Sequence, residues 1–240
     1  MTRAVVLLSG GLDSSTCAAI AAKEYGPSEV VAVTLYYGQK HAIELRAACN
    51  VAKELRLKDH IQLRLPDIFT GSALTDTDKE IPTASYLESL QVGAVPTYVP
   101  NRNMNFLAVA TTLAMTMGAD ALYCGVHSED AYNWAYSDTS PEFTGAMAAA
   151  IYISSYHKVR LVTPLQWMMK KDVVATAHAL QVPVHLTYSC YRGGEVACGT
   201  CATCQSRLQA FKANGLIDPI TYERLPSSDF WANCKPFADS

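Results

Sequence analysis

A run of small and polar residues near the N-terminus has the composition of a phosphate-binding turn. The residues S-G-G-L-D-S-S (9–15) directly follow the apolar run V-V-L-L (5–8). Gly10 and Gly11 permit positive φ angles and let the backbone approach a ligand closely. Asp13 and the serines beside it can cap a following helix, whose free amides and positive dipole end would then face an anion. The run therefore predicts a site for the phosphates of a nucleotide.

This turn differs from the common phosphate-binding signatures, because neither G-x-x-x-x-G-K-S/T nor G-x-G-x-x-G occurs in the chain. S-G-G-x-D-S instead resembles the signature of the PP-loop ATP pyrophosphatases, which adenylate a substrate and release pyrophosphate. The resemblance implies that Mg²⁺ bridges the phosphate oxygens of bound ATP. The residues that it places around the nucleotide are Leu8, Ser9, Gly10, Gly11, Leu12, Asp13, Ser14 and Ser15.

Four cysteines near the C-terminus have the spacing of a metal site. Cys198, Cys201 and Cys204 form two overlapping C-x-x-C units, and Cys190 precedes them. Four thiolates suit a tetrahedral structural zinc and leave no coordination position open for catalysis. An iron–sulfur cluster is the main alternative, since C-x-x-C-x-x-C also occurs in ferredoxin-like sites. A redox dithiol is disfavoured because it does not need four cysteines.

Composition limits the classes of function. The chain has 240 residues, of which 50% are hydrophobic and 17% charged, and its formal charge is −3. That length allows one large domain with a small appendage. A protein that grips nucleic acid usually carries a basic excess, so the charge favours a small-molecule substrate. We find no membrane segment or signal peptide in the sequence and expect a cytoplasmic protein.

Strand-like and helix-like patterns alternate along the first 180 residues. Strands are predicted at Ala4–Leu8, Val30–Tyr36, Ile61–Leu65, Ala121–Gly125 and Val159–Val162. Helices are predicted at Ser15–Tyr25, Ala42–Leu55, Met104–Met117, Phe143–Ile153, Lys171–Leu180 and Gln205–Ala213. This alternation predicts an α/β fold with a doubly wound, mostly parallel sheet that binds ligands at the carboxyl ends of its strands.

The chain is predicted to have two parts. Residues 1–182 would form the nucleotide-binding domain, and residues 183–240 a small zinc-binding appendage. Residues 66–100 are rich in proline and polar residues, which predicts a long loop over the active edge of the sheet.

Several segments together resemble the QueC family of 7-cyano-7-deazaguanine synthases. Besides the two end motifs, they are L-Y-Y-G-Q-K-H (35–41), V-P-N-R-N-M-N-F-L (99–107), T-P-L (163–165) and S-C-Y-R-G (189–193). The similarity runs from about residue 4 to residue 214. It implies an adenine nucleotide alpha hydrolase-like fold, a homodimer, and a role in queuosine or deazapurine biosynthesis.

The resemblance also implies a reaction. ATP adenylates 7-carboxy-7-deazaguanine, ammonia displaces AMP to give the amide, and a second activation dehydrates the amide to the nitrile. The expected catalytic residues are Asp13, Arg102 and Lys171, with Arg102 neutralising charge on the phosphates or on the substrate carboxylate. Lys40 is a weaker candidate than Arg102 for this neutralisation, and Gln39 and His41 are expected in the nucleotide pocket. The expected substrate-binding residues are Tyr36, Trp134, Tyr136, Asp138 and Glu142.

The substrate side departs from the family pattern. Tyr36 stands where the family has Asp. The family's Y-P-D-C-R-P-E-F appears as Y-S-D-T-S-P-E-F (136–143), so Ser137, Thr139 and Ser140 replace Pro, Cys and Arg. An alternative is therefore a QueC-like paralogue that stops at the amide or transfers the acyl group to another amine, such as one on a protein. A PP-loop tRNA-modifying enzyme and a non-catalytic deazaguanine-binding module are further alternatives.

Overall fold

A parallel sheet of five strands forms the centre of the molecule, in the order β3-β2-β1-β4-β5. The fold is taken from a computed structural model, which describes residues 1–39, 43–76, 78–82, 95–131 and 134–237. The strands are β1 (Ala4–Leu7), β2 (Val30–Tyr36), β3 (Asp59–Arg64), β4 (Ala121–Tyr123) and β5 (Arg160–Val162). The predicted α/β fold with a parallel sheet is confirmed.

Helices connect these strands. They are α1 (Leu12–Tyr25), α2 (Ile43–Glu54), α3 (Arg102–Met117), α4 (Ser128–Ala131), α5 (Pro141–Ser154), α6 (Lys170–Ala179) and α7 (Ala202–Ala213). Two short strands, β6 (Leu216–Ile217) and β7 (Lys235–Pro236), pair near the C-terminus. Apart from the short α4, each helix was predicted. Most begin one to three residues earlier than expected. At α5 the cap is Ser140, whose hydroxyl accepts from Phe143 N at 3.1 Å.

Both faces of the sheet are covered. Val6 and its neighbours on one face pack with α1, α2 and α6, whereas Val5 and Val33 on the other face pack with α3 and α5. Successive side chains of a strand point to opposite faces, so a strand buried on both sides must be apolar throughout. This explains the uninterrupted apolar run in β1.

The strand order reverses at β1. It pairs with β2 on one side and with β4 on the other, all in parallel. The connections that follow β1 and β4 therefore leave the sheet toward opposite faces and open a crevice at the carboxyl ends, where doubly wound sheets bind ligands. The glycine turn follows β1 and borders this crevice.

The later part of the chain reaches the same crevice. The amide of Tyr188 donates to the carbonyl of Gly10 at 2.8 Å, which holds the segment 188–190 against the glycine turn. The division of the chain at residue 182 stays a prediction. Of the loop predicted at 66–100, residues 77 and 83–94 lie outside the described residues, and Leu74 from the described part lines the crevice. Among the described helices, none combines the length and apolarity needed to cross a bilayer.

Candidate functional site

The glycine turn is cross-braced by the hydroxyls of two serines. Ser14 Oγ accepts from Ser9 N at 3.1 Å and lies 3.0 Å from Ser9 Oγ. Ser9 Oγ in turn accepts from Gly11 N at 3.4 Å. The first amides of α1 have no partner inside the helix and face the same opening. These hydroxyls and amides form a preorganised cradle for an anion.

Gly10 allows α2 to pack directly on the turn. Its φ is +87°, and a Cβ added there would lie 2.6 Å from both the carbonyl oxygen of Glu44 and the amide nitrogen of Ala48. Leu12 and Ser15 also point inward and are fully buried. Of the predicted nucleotide residues, Gly10, Leu12 and Ser15 support the turn from behind. The others line the cleft: Leu8, Ser9, Gly11, Asp13 and Ser14.

Asp13 forms an ion pair with Lys170 at the mouth of the turn. Lys170 Nζ lies 2.7 Å from Asp13 Oδ1 and 2.6 Å from Oδ2. Burial opposes ionisation of Asp13, but the charges of Lys170 and then His127 outweigh it and hold its pKa well below the usual range. Asp13 is therefore an anion at neutral pH, and both of its oxygens are occupied by the lysine.

The sequence predicts Lys171 in the catalytic set, but Lys170 is the lysine that the structure places at the cleft. Lys171 is exposed, whereas Lys170 is buried and lines the cleft. Successive residues of a helix point about 100° apart, so only one of two adjacent lysines at the start of α6 can face the sheet edge. The sequence shows two adjacent lysines, and residue type alone does not indicate which of them faces the sheet edge.

His127 was missed by the sequence analysis, although it follows β4 at the active edge. Its Nε2 lies 3.7 Å from Asp13 Oδ2 and 3.4 Å from Asp130 Oδ2. Burial disfavours a charge on the ring, but Asp130 and Asp13 outweigh it and raise the pKa of His127. The available signal was its position, two residues after Gly125 at the carboxyl end of a parallel strand.

Arg102, the first residue of α3, brings a positive charge to the opposite wall. Its guanidinium lies 5.6 Å from the ring centroid of Tyr37 and 5.8 Å from that of Phe106, and Nη1 donates to Tyr37 Oη at 3.4 Å. Within the described part of the chain, its buried Nε has no hydrogen-bond partner and the guanidinium has no carboxylate within ion-pair distance. A buried cation without a carboxylate in direct contact favours an incoming anion.

A cleft of about 260 Å³ joins these elements. Gln39 lines it as predicted, with its Oε1 held by Tyr37 N at 2.9 Å. Lys40 and His41 lie outside the described residues. The remaining walls are formed mainly by the ends of β1 and β2 and by the C-terminal segment, through Val33, Thr34, Leu35, Glu44, Val126, Tyr188, Ser189, Cys190 and Tyr191.

The predicted substrate residues are mostly elsewhere. Tyr36 does not line the cleft. Its ring packs against Arg64, whose guanidinium lies 5.4 Å from the ring centroid. Adjacent residues of an extended chain face opposite ways, so the next residue, Tyr37, takes the cleft side. Trp134 is 63% exposed, and Glu142 is exposed on α5. Neither contributes to the cleft walls.

Asp138 and Tyr136 are buried supports. Asp138 Oδ2 accepts from Asn103 N at 2.9 Å, so this carboxylate caps the first turn of α3 and does not line the cleft. Burial raises its pKa, while the amide of Asn103 and the charge of Arg102 oppose that shift. The hydroxyl of Tyr136 lies 2.6 Å from Thr97 Oγ1 and 3.3 Å from Tyr191 Oη, at a small side cavity.

The four predicted metal ligands converge. The sulfur atoms of Cys190, Cys198, Cys201 and Cys204 all lie within 4.8 Å of one another, and Cys198 Sγ is 4.0 Å from Cys204 Sγ. Zn–S bonds of about 2.3 Å in a tetrahedron place sulfurs roughly 3.8 Å apart, so the cluster fits zinc. Backbone amides support the thiolates, as where Cys198 N donates to Cys190 Sγ at 3.4 Å.

A buried ion pair ties this cluster to the cleft. Arg207 donates to Asp218 Oδ2 at 2.6 Å, and its Nη1 reaches Thr187 Oγ1 at 2.8 Å and Ser189 Oγ at 3.4 Å. The segment that ends in Cys190 is thereby held on one side by Arg207 and on the other by the glycine turn.

Comparison with known proteins decides the family. The profile described as "Queuosine biosynthesis protein QueC" matches residues 3–215. The chain belongs to the QueC family. The prediction from the combined motifs is confirmed, and with it the prediction of an enzyme of a family that uses ATP.

Curated relatives match the QueC-family chain over almost its whole length. The 7-cyano-7-deazaguanine synthase of Acetivibrio thermocellus is 40% identical over 227 residues, which cover 92% of this chain and 98% of the relative. The synthase of Methanoculleus marisnigri is 41% identical, covering 93% and 100%. The synthase of Acidobacterium capsulatum is 41% identical, covering 92% and 96%.

Proposed function

We propose that the protein is a 7-cyano-7-deazaguanine synthase, which uses ATP to adenylate 7-carboxy-7-deazaguanine and couples the product with ammonia. The observation that carries the proposal is the Asp13–Lys170 pair at the N-terminus of α1, beside a turn shaped for phosphates. The full-length similarity to synthases of that name supports the choice of substrate.

In the proposed first step, the cleft aligns a carboxylate with the α-phosphorus of ATP. A carboxylate oxygen attacks phosphorus, and the bond to the pyrophosphate oxygen breaks as pyrophosphate leaves. The departing pyrophosphate is held by the hydroxyls of Ser9 and Ser14 and by the first amides of α1. Lys170 lies beside these groups. Catalysis of this kind depends on positioning and on neutralising charge as it develops.

Mg²⁺ would be held mainly by the phosphates, because both oxygens of Asp13 already accept from Lys170. When bound, it supplies further neutralisation of the phosphate oxygens. Zinc would be held by the four cysteines and would keep the segment 188–190 folded against the glycine turn.

Ammonia then displaces AMP to give the amide, and a second activation gives the nitrile. An outcome that ends at the amide, or at a conjugate with another amine such as a protein, is the second candidate. It is favoured by Ser140, which stands where the family has Arg and whose hydroxyl is used in capping α5. No charged group replaces that arginine at the same position.

We also infer that the protein is a homodimer in the cytoplasm. Its chain would divide into a nucleotide-binding part (1–182) and a zinc-binding part (183–240). Sedimentation velocity would test the dimer, and limited proteolysis around residue 182 would test the division.

The deciding experiment incubates the purified protein with 7-carboxy-7-deazaguanine, ATP, Mg²⁺ and ammonium, and identifies the products by mass spectrometry. Nitrile with AMP supports the full synthase. Amide alone supports the second candidate. If neither product nor AMP forms, the proposed function is wrong. Stoichiometric binding of tRNA at moderate salt would then favour a tRNA-modifying enzyme, and tight deazaguanine binding without turnover a binding module.

A further inference from the structure

A small side cavity adjoins the main cleft next to the Asp13–Lys170 pair. Its volume is about 30 Å³, above the roughly 10–15 Å³ that one water needs. It shares Asp130, Lys170, Tyr191 and Thr203 with the wall of the main cleft. The cavity has room for one or two molecules of the size of water or ammonia, beside the Asp13–Lys170 pair.

Hydrogen-bond acceptors dominate the wall of this cavity. Asp130 and Glu129 supply carboxylates, and Tyr136, Tyr191 and Ser206 supply hydroxyl oxygens. The one cation in the wall, Lys170, is neutralised by Asp13. A small cation that donates several hydrogen bonds fits such a wall better than an anion does.

His127 has an unused ring nitrogen at this cavity. The residue is 2% exposed and its Nδ1 has no hydrogen-bond partner in the described part of the chain. Nε2 faces two carboxylates and so carries a proton, which leaves Nδ1 of the neutral ring as an acceptor. A buried acceptor without a partner is costly unless a ligand or a water supplies the donor.

Asp130 is more exposed to solvent than His127 at this cavity. Its side chain is 36% exposed, whereas that of His127 is 3% exposed. A cation would therefore meet the carboxylate of Asp130 first and reach the imidazole farther in.

We propose that this side cavity binds ammonium from solvent and delivers ammonia to the acyl-adenylate in the main cleft. The inference rests on the proposed function, because an ammonia-consuming reaction is what gives the bound cation a use. Ammonium transfers one proton to His127 Nδ1. The nitrogen lone pair then forms the C–N bond at the acyl carbon, while the C–O bond to the phosphate breaks and AMP leaves with that electron pair. The surplus proton on nitrogen passes to the Asp130 carboxylate and on to solvent.

The test separates binding of ammonium from adenylation. ATP–pyrophosphate exchange with 7-carboxy-7-deazaguanine, without ammonium, reports adenylation alone. AMP formation during a titration with ammonium chloride gives the KM for ammonium. The variants are Asp130→Asn, which removes the entry charge, and Ser206→Leu, which fills the cavity without changing charge. Asp120→Asn, at the opposite end of β4 and paired with Arg3, is the matched control.

We expect Asp130→Asn and Ser206→Leu to raise the KM for ammonium at least tenfold, with exchange by Ser206→Leu within about threefold of wild type and the control unchanged. If Asp130→Asn does not fold, Ser206→Leu still decides. An unchanged KM for ammonium in the folded variants would overturn the inference, and so would an equal loss of exchange, which would assign the cavity to adenylation. Absence of exchange in the wild type would overturn the proposed function and this inference with it.

Discussion

Lys170 Nζ lies within 2.7 Å of both carboxylate oxygens of Asp13, although the two residues are 157 positions apart in the chain. The contact joins the N-terminus of α1 to the N-terminus of α6 across the carboxyl edge of the sheet. It fixes the ammonium group of Lys170, paired with the carboxylate of Asp13, beside the turn where the phosphates are proposed to bind.

The first prediction compares the two adjacent lysines. Lys170→Ala should lower the rate of ATP–pyrophosphate exchange by ~10²–10³, the range seen when one preorganised donor to a developing charge is removed. Lys171→Ala should stay within about twofold, because this side chain is exposed. Equal losses in both variants would show that charge at the start of α6, and not contact with Asp13, is what matters.

Removing Arg102 should weaken binding of the anionic ligands. Its guanidinium stacks between Tyr37 and Phe106 and has no carboxylate partner among the described residues. Arg102→Ala should raise the KM for ATP or for 7-carboxy-7-deazaguanine by ~10–100-fold, and Arg102→Lys should recover only part of it, since lysine lacks the planar group that stacks on rings. Steady-state kinetics on both substrates measure this; full recovery by lysine would exclude a role for the stacking.

Glu44 should make stability depend on pH. Burial raises the pKa of this cleft carboxyl to about 7, with Arg102 opposing the shift and Cys190 adding to it. A carboxyl whose folded-state pKa is raised contributes stability below its unfolded pKa and loses it as the pH rises through about 7. Glu44→Gln should therefore increase the free energy of unfolding by ~1–3 kcal/mol at pH 8 and leave it unchanged near pH 4. Thermal melts at both values check this, and a pH-independent difference would contradict it.

The cysteine cluster should bind one zinc per chain. Elemental analysis should find zinc and no iron, and the protein should lack the visible absorption of an iron–sulfur cluster. Cys201→Ser should lose the metal and lower the Tm by about 10 °C, because binding energy at a structural site is folding energy. Cys49→Ser is the control, since Cys49 is exposed and outside the cluster. Iron at stoichiometric levels would contradict the prediction of zinc and would favour an iron–sulfur cluster.

Two glycines with similar backbone angles should respond differently to alanine. Gly10 and Gly26 have φ values of +87° and +83°, but an added Cβ meets atoms of α2 at Gly10 and nothing within 4 Å at Gly26. Both variants carry a backbone penalty of roughly 1–2 kcal/mol, and Gly10→Ala adds an overpacking cost of ~1–3 kcal/mol. Chemical denaturation measures the difference, and equal losses would mean that α2 moves away freely.

Local patterns predicted the sheet, the helices, the glycine turn and the metal ligands. In each case the signal lies within a few consecutive residues, as in the apolar strand followed by S-G-G-L-D-S. Which side chains of the predicted substrate set line the cleft depends on their direction and not on residue type. Tyr36 ends β2 and points away from the cleft, whereas Tyr37, the next residue, lines it.

Contacts between segments that are distant in the sequence could not be predicted either. Asp138 caps α3 through Asn103, a contact that follows from the way α3 packs and not from the neighbours of either residue in sequence. His127 gains the carboxylate of Asp13 in the same manner, from α1. Residue types in these segments suggested polar chemistry but not which groups meet.

The hydrogen bond from Tyr188 to Gly10 has a consequence for how the protein is made. A chain emerging from the ribosome completes its glycine turn first, yet the wall formed by Tyr188, Ser189 and Cys190 arrives only after most of the protein has been synthesised. That wall is also anchored by cysteines up to Cys204. A nascent chain thus cannot close this cleft until synthesis has passed Cys190, and the cysteine cluster behind that wall is complete only after Cys204.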